Sequence, residues 1–259
     1  MPTQNRLKDL FLDGIPALGT LVNAGDASTV ECMESAGLDF VFIDCEHGPF
    51  DDETTVDLIR AAELAGLEPV VRIADLTHKE VQRAVDAGAK GLVVPALRKP
   101  DDYRRLVDLA KFPPVGNRGF SPNRGSGYGY KDWAKGSVFD FMQASDERLI
   151  LLPQCETVES LDAIEEITMI DGIDGIFIGP FDLSIAMGIP GQFDDPLFVA
   201  ALERIKNACR ANGKMVQIFS MTAADAKKRI AEGYDGVAVG LSASILAEAY
   251  RNLVKAVRE

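Results

Sequence analysis

Five times along the chain a glycine-containing turn leads within a few residues into a short apolar run: "AGLDFVFID", "AGLEPVVRI", "AGAKGLVVP", "DGIDGIFIG" and "EGYDGVAVG". Runs of four or five apolar residues bounded by glycine read as strands buried on both faces. The segments between them carry helical spacing instead. "DETTVDLIRAAELAG" sets Val56, Ile59, Ala62 and Leu64 at broadly helical intervals, with acids in its first turn and a glycine at its end. "THKEVQRAVDAG" repeats that grammar with Thr77 as its cap, and "DDYRRLVDLAKF", "VESLDAIEEIT", "DDPLFVAALERIKNACRANG" and "TAADAKKRIAEG" follow it. Strands alternating with helices require parallel pairing through right-handed crossovers.

The strand candidates are Ala17 to Val22, Phe40 to Asp44, Pro69 to Ile73, Leu92 to Pro95, Leu149 to Cys155, Gly175 to Gly179, Met215 to Ser220 and Gly236 to Gly240. Eight is the number that a TIM (β/α)8 barrel requires, and 259 residues suit one such barrel better than two small domains. A doubly wound open sheet is the alternative, but "TLVNAGDAS" after the first strand is not the GxGxxG phosphate turn of that fold. One glycine-rich stretch, Val115 to Gly136, fits no strand–helix unit, and its length suggests a functional loop or an oligomer contact.

A formal net charge of −13 argues against nucleic acid or an anionic membrane as partner, since either demands a basic patch. No apolar stretch approaches the roughly 20 residues of a bilayer span, and "MPTQNRLKDLFLDG" lacks a signal-peptide core. The cytoplasm is therefore the expected location. Cys32, Cys45, Cys155 and Cys209 are scattered without a CxxC pair, which suggests neither a disulfide framework nor structural zinc.

In a barrel, chemistry gathers at the carboxyl ends of the strands. Read in order, those ends offer Asp44, Glu46 and His47, then Arg72, Gln154 and Glu156, Asp182 and Ser220. Singly, each has a plainer explanation. Glu156 could lie in the first turn of the next helix, Asp182 could cap its own, Arg72 could lie on the surface, and His47 could be a turn histidine. Together they form a coherent set. Glu156 and Asp182 offer hard oxygen ligands to a divalent cation that keeps positions open for water and a chelating 2-oxo acid. Arg72 would balance charge on the carbonyl as it becomes an enolate, and His47 is a natural base. A lysine Schiff base is disfavoured, because Lys90 and Lys214 lie at amino ends, Lys131 and Lys135 in the long loop, and Lys99 at a distance from its strand. Cys45 and Cys155 each precede a polar end residue, so strand alternation points them to the packed side. His78 has no comparable company.

The motifs "FVFIDCEHGPFD", "PVVRI", "VQRAVDAGAKGLVVP", "FPPVGNRG", "LLPQCET" and "IFIGPFDLSIAMG" resemble those of the metal-dependent class II pyruvate aldolases of the HpcH/HpaI type, from about Gly19 to Leu246. The resemblance implies a barrel of the phosphoenolpyruvate/pyruvate type and cleavage of a 4-hydroxy-2-oxo acid to pyruvate and an aldehyde. It implies that His47 transfers the proton, that Asp86 pairs with His47, and that Arg72 stabilises the transition state. Glu156 and Asp182 would hold Mg²⁺, Mn²⁺ or Co²⁺. Gln154 and the backbone around Phe181, from Gly179 and Pro180 to Asp182, would hold the oxo acid. The family also implies a homotrimer or homohexamer with an exchanged C-terminal helix, here about 243–258, on a single domain of residues 1–259.

The chain departs from that pattern at Phe181, where a small residue is usual, at Ser242, where an aspartate is expected, and in the basic "ALRKPDD". Two further readings stand beside aldol cleavage. One is a related lyase or oxaloacetate-type decarboxylase using the same enolate. The other is a barrel that binds an oxo acid without turnover.

Overall fold

The structure, a computed structural model, describes residues 5–259; residues 1–4 of the expected single domain lie outside the described residues. The strands are β1 (Ala17–Val22), β2 (Phe40–Asp44), β3 (Glu68–Arg72), β4 (Gly91–Val93), β5 (Ile150–Leu151), β6 (Gln154–Cys155), β7 (Gly175–Ile178), β8 (Met215–Ser220) and β9 (Gly236–Leu241). The helices are α1 (Arg6–Leu12), α2 (Ala27–Glu31), α3 (Asp52–Leu64), α4 (His78–Ala87), α5 (Pro100–Ala110), α6 (Val138–Arg148), α7 (Val158–Asp162), α8 (Ile164–Thr168), α9 (Pro180–Ala186), α10 (Pro196–Ala211), α11 (Ala223–Ala231) and α12 (Ser242–Arg258).

The helix signals act as expected. Asp51 caps α3 by accepting from the Thr54 amide, and Thr77 caps α4 by accepting from the Glu80 amide. α4 ends at Gly88, whose φ of +108° lies in the left-handed region that favours glycine.

Every strand pair is parallel, and the order across the sheet is β5-β4-β3-β2-β1-β9-β8-β7-β6. The first strand beside the last rules out a doubly wound sheet, whose order reverses at a central switch point. The fifth expected strand, Leu149 to Cys155, appears as two short ones. That stretch has two partners. The amides of Ile150, Leu152 and Gln154 donate to the carbonyls of Lys90, Leu92 and Val94, and the carbonyls of Leu151 and Pro153 accept from Asp174 and Phe177. Pro153 has no N–H to add to the ladder, and the strand is interrupted there.

Alternate side chains enter two apolar clusters. Phe40, Phe42, Val70, Leu152, Phe177 and Phe219 pack on the inner face of the curled sheet with Leu7 of α1. Val41, Ile43, Val71, Ile176 and Ile218 pack on the outer face beneath the helices. The period of two then places the next inner positions: Asp44 follows Phe42, Arg72 follows Val70, and Gln154 follows Leu152. The apolar inner row thus turns polar at the carboxyl ends of the strands.

The long stretch from Val115 packs at the opposite end. Arg118 Nη2 and Asn123 Nδ2 donate to Asp86 Oδ1 at 2.7 and 2.8 Å, and Arg124 Nη1 donates to the Ala87 carbonyl at 2.7 Å. On α12 only Ser242 is buried, while Ile245, Leu246, Tyr250, Leu253, Val254 and Val257 face outward.

Candidate active site

Asp44 explains why β2 ends in charge. Its carboxylate, almost sealed from solvent, accepts from Arg72 Nε at 2.9 Å through Oδ1 and from Arg72 Nη2 at 2.8 Å through Oδ2. Oδ1 also accepts from the backbone N–H groups of Glu46 and His47 at 3.1 and 3.2 Å. One aspartate therefore fixes both the guanidinium and the turn that carries the histidine. The third arm of Arg72, Nη1, reaches Glu46 Oε2 at 3.1 Å and Gln154 Oε1 at 3.5 Å. Burial alone would lower the Arg72 pKa, but the hydrogen bond and charge of Asp44, with Glu46 and Glu156 behind them, raise it. Its charge is permanent.

Glu156 lies two residues beyond Gln154 on the same inner row. It is buried, precedes the Thr157 cap of α7, and lies outside that helix's first turn. Its Oε1 accepts from the Ala96 amide at 2.5 Å, and its Oε2 accepts from Gln154 Nε2. Ala96 has a φ of +58°, a left-handed conformation that costs a non-glycine residue roughly 1–3 kcal/mol and here aims its N–H at the carboxylate. Asp182 sits in the first turn of α9 without capping it, and is exposed at the mouth. Burial pushes the Glu156 carboxyl above the ordinary glutamate range, the Ala96 amide opposes that, and the charges of Asp182 and Glu46 add to the rise. Burial also raises Glu46, against the pull of Arg72 and His47.

These carboxylates repel one another, and a divalent cation would relieve the repulsion. The described residues hold no group of three or more His, Cys, Asp or Glu side chains at metal-binding spacing. Two carboxylates with open positions are nonetheless what Mg²⁺ or Mn²⁺ accepts when substrate and water complete the shell. The donor set fits such an ion. Gly179 keeps the cradle open, because a Cβ there would come within 2.6 Å of Gln154 Nε2 and 3.0 Å of Glu156 Oε2.

His47, Arg72, Gln154, Gly179, Pro180, Phe181 and Asp182 share one cavity of about 130 Å³, whose apolar wall is Leu21, Phe177, Phe219 and Leu241. The His47 side chain is largely exposed there, with Nε2 3.8 Å from Glu46 Oε2. The pairing of Asp86 with His47 is not made within this chain. Asp86 stands near the end of α4, at the amino ends of the strands, and its carboxylate is held by Arg118 and Asn123. The carboxylate beside His47 is Glu46. Strand and helix direction give the reason: α4 runs back from the carboxyl end of β3, so its last turn lies far from the mouth.

Ser220 is buried with its hydroxyl unpartnered. Ser242 ties β9 to the turn after β1, its Oγ donating to the Ala24 carbonyl at 2.9 Å. In "ALRKPDD", Arg98 pairs outward with Glu159 at 2.6 Å. Cys45 Sγ lies 3.3 Å from Thr55 Oγ1 and Cys155 Sγ 3.5 Å from Ser160 Oγ, both against the outer cluster. Burial raises these thiols to about 11 and about 12, so neither is a thiolate at neutral pH. The anchoring role of Asp44 and the N–H of Ala96 went unassigned in the sequence. Alternation from Phe42 signals the first, and no local pattern signals the second.

Comparison with known proteins bears on this arrangement. A hydroxypyruvate/pyruvate aldolase of Agrobacterium fabrum is 31% identical over 96% of this chain and 92% of its own length. A 4-hydroxy-2-oxo-heptane-1,7-dioate aldolase of Salmonella dublin is 32% identical over 94% of this chain and 91% of its own. The crystal structure of an HpcH/HpaI aldolase from Desulfitobacterium hafniense superposes with a TM-score of 0.89 at 28% identity, covering 98% of this chain and 96% of that one. The family model for HpcH/HpaI aldolase/citrate lyase matches residues 18–249, and the chain is therefore a carbon–carbon lyase belonging to that family.

Proposed function

We propose that this chain is a divalent-metal-dependent pyruvate aldolase that reversibly cleaves a 4-hydroxy-2-oxo acid into pyruvate and an aldehyde. The observation that carries the reading is Arg72, locked by Asp44 on the same inner row as Gln154 and Glu156. Glu156 and Asp182 would hold Mg²⁺, Mn²⁺ or Co²⁺, which when bound polarises the chelating oxo acid as a Lewis acid. Gln154 and the backbone from Gly179 through Phe181 border the oxo-acid end.

His47 takes the proton of the 4-hydroxyl, and the C4–O bond becomes the aldehyde carbonyl. The C3–C4 bonding pair moves toward C2, leaving negative charge on its oxygen. The Arg72 guanidinium faces that charge, and its rigid anchoring means no reorganisation is needed as the charge develops. Return of the proton to C3 gives pyruvate and closes the balance. Glu46 Oε2, 3.8 Å from His47 Nε2, is the carboxylate beside the base.

The same reading takes the curled sheet as a closed (β/α)8 barrel, a single domain over 1–259, because the two ends of the order, β5 and β6, are one stretch, Ile150–Cys155, bonded to β4 on one side and β7 on the other. It takes the outward apolar row of α12 as a contact in a homotrimer or homohexamer. Four unpaired cysteines suit the reducing cytoplasm. No helix among the described residues is long and apolar enough to cross a membrane.

Exchange of the pyruvate methyl protons with D₂O tests the enolate without needing an aldehyde. It is expected to require metal, to vanish after chelation, and to slow by about 10²–10⁴ in His47→Ala. Full exchange without metal, or unchanged exchange in the variant, would sink the scheme. A second reading, an oxaloacetate-type decarboxylase or other lyase using the same enolate, draws on the lyase half of the family description. Product analysis over a panel of oxo acids separates the two.

A further inference from the structure

Resting on that reading of the site, we propose that the aldehyde handled by this chain is uncharged and apolar, and that Phe181 selects it. The cavity has two unlike halves. His47, Arg72, Gln154 and Asp182 form the polar half, while Leu21, Phe177, Phe181, Phe219 and Leu241 form the other. The cavity is small, about 130 Å³. The oxo acid fills much of that space with its oxygens on the polar side. The rest of the aldehyde must leave past the rim, and Phe181 stands there, 41% exposed.

Phe181 is a fixed wall. Its ring meets Phe193 edge-on at 4.9 Å, Phe193 meets the fully buried Phe198 at 5.5 Å, and Phe219 lies 6.5 Å away on the cavity side. A chain of aromatic contacts thus anchors the rim in the core, and the surface offered to a passing alkyl or aryl group is already ordered.

Charge points the same way. Asp44, Glu46, Glu156 and Asp182 gather at this mouth, and Arg72 is the one Lys or Arg lining the cavity. Two of its arms are committed to Asp44, and the third reaches Glu46 and Gln154. Arg98 is turned to Glu159. A distal carboxylate on the aldehyde would meet an aromatic ring and a surplus of negative charge, and among the described residues that line the cavity no Lys or Arg but the committed Arg72 could receive it. The Salmonella relative's substrate, by its name, releases an aldehyde that carries such a carboxylate. This chain is built against it.

The test compares hexanal with succinate semialdehyde as acceptors for pyruvate in the Mn²⁺-loaded protein, with methyl-proton exchange of pyruvate measured alongside. The wild type is expected to favour hexanal in kcat/KM by about tenfold or more, and Phe181→Ala to lower that preference by about tenfold. Phe181→Lys, which places a cation on the rim, is expected to shift the preference toward the semialdehyde. Normal exchange with equal use of the two aldehydes, or a preference unmoved in both variants, would overturn the inference alone. Absence of exchange in the wild type would overturn the aldolase reading and the inference with it.

Discussion

Replacing Asp44 by asparagine preserves size and removes charge. The carboxylate is 1% exposed, takes two charge-assisted hydrogen bonds from Arg72 and accepts from two backbone amides of the following turn. Asparagine can still receive those amides through its single oxygen. Its NH₂ must then face a guanidinium N–H, donor against donor. Removing one partner of a buried ion pair costs about 3–5 kcal/mol, and because Arg72 retains Glu46 and Gln154 the lower figure, about 3 kcal/mol, applies. In a chain of this size that corresponds to a fall in Tm of about 6–12 °C. Release also lets the guanidinium leave the inner row, so pyruvate methyl exchange falls by about 10²–10³, the effect of losing one preorganised donor. Scanning calorimetry and exchange followed by NMR on the same samples read both quantities. A Tm lowered by less than about 2 °C, with exchange within about threefold of wild type, would refute the claim that Asp44 holds the arginine.

Four further outcomes follow from the structure. Because Glu156 holds its proton above the ordinary value of 4.5, Mn²⁺ affinity measured by calorimetry should weaken as pH falls through a window opening above 4.5; constant affinity down to that pH would contradict it. In the metal-free protein the same raised value contributes stability that is full below 4.5 and lost as pH rises through the native value, the reverse of a salt-bridged acid. A thiol reagent at neutral pH should label the exposed Cys32 quickly and spare Cys45 and Cys155, whose thiols burial holds at about 11 and about 12; rapid labelling of either on intact-mass analysis would count against their packing. Gly179→Ala should lower metal affinity and activity by about 10–100-fold with the fold intact by circular dichroism, since the new methyl presses on Gln154 and Glu156.

Much of this was legible in the residues because glycine turns and apolar runs are local signals. β1, β2 and β8 begin and end where the sequence places them, at Ala17–Val22, Phe40–Asp44 and Met215–Ser220. Alternation also sends Cys45 and Cys155 outward and the neighbouring acids inward. What escaped depends on partners distant in sequence. Spacing marks Asp86 as a helical surface residue near a C-terminus, where it lies; the pairing with His47 is what family likeness implies, and within this chain Arg118 and Asn123 donate to the carboxylate. Arg118 and Asn123 belong to a loop without periodicity, so no pattern could announce them. The left-handed Ala96 was hidden for a similar reason: its conformation answers a carboxylate 60 residues away.

The stretch Ile150–Cys155 lends its amides to one neighbour and its carbonyls to another. Backbone groups along this stretch that are bonded on both sides offer no template to which a stray peptide could add itself. The outward row on α12 is the opposite case, since Ile245, Leu246, Tyr250, Leu253, Val254 and Val257 stand in water and covering them would be favourable.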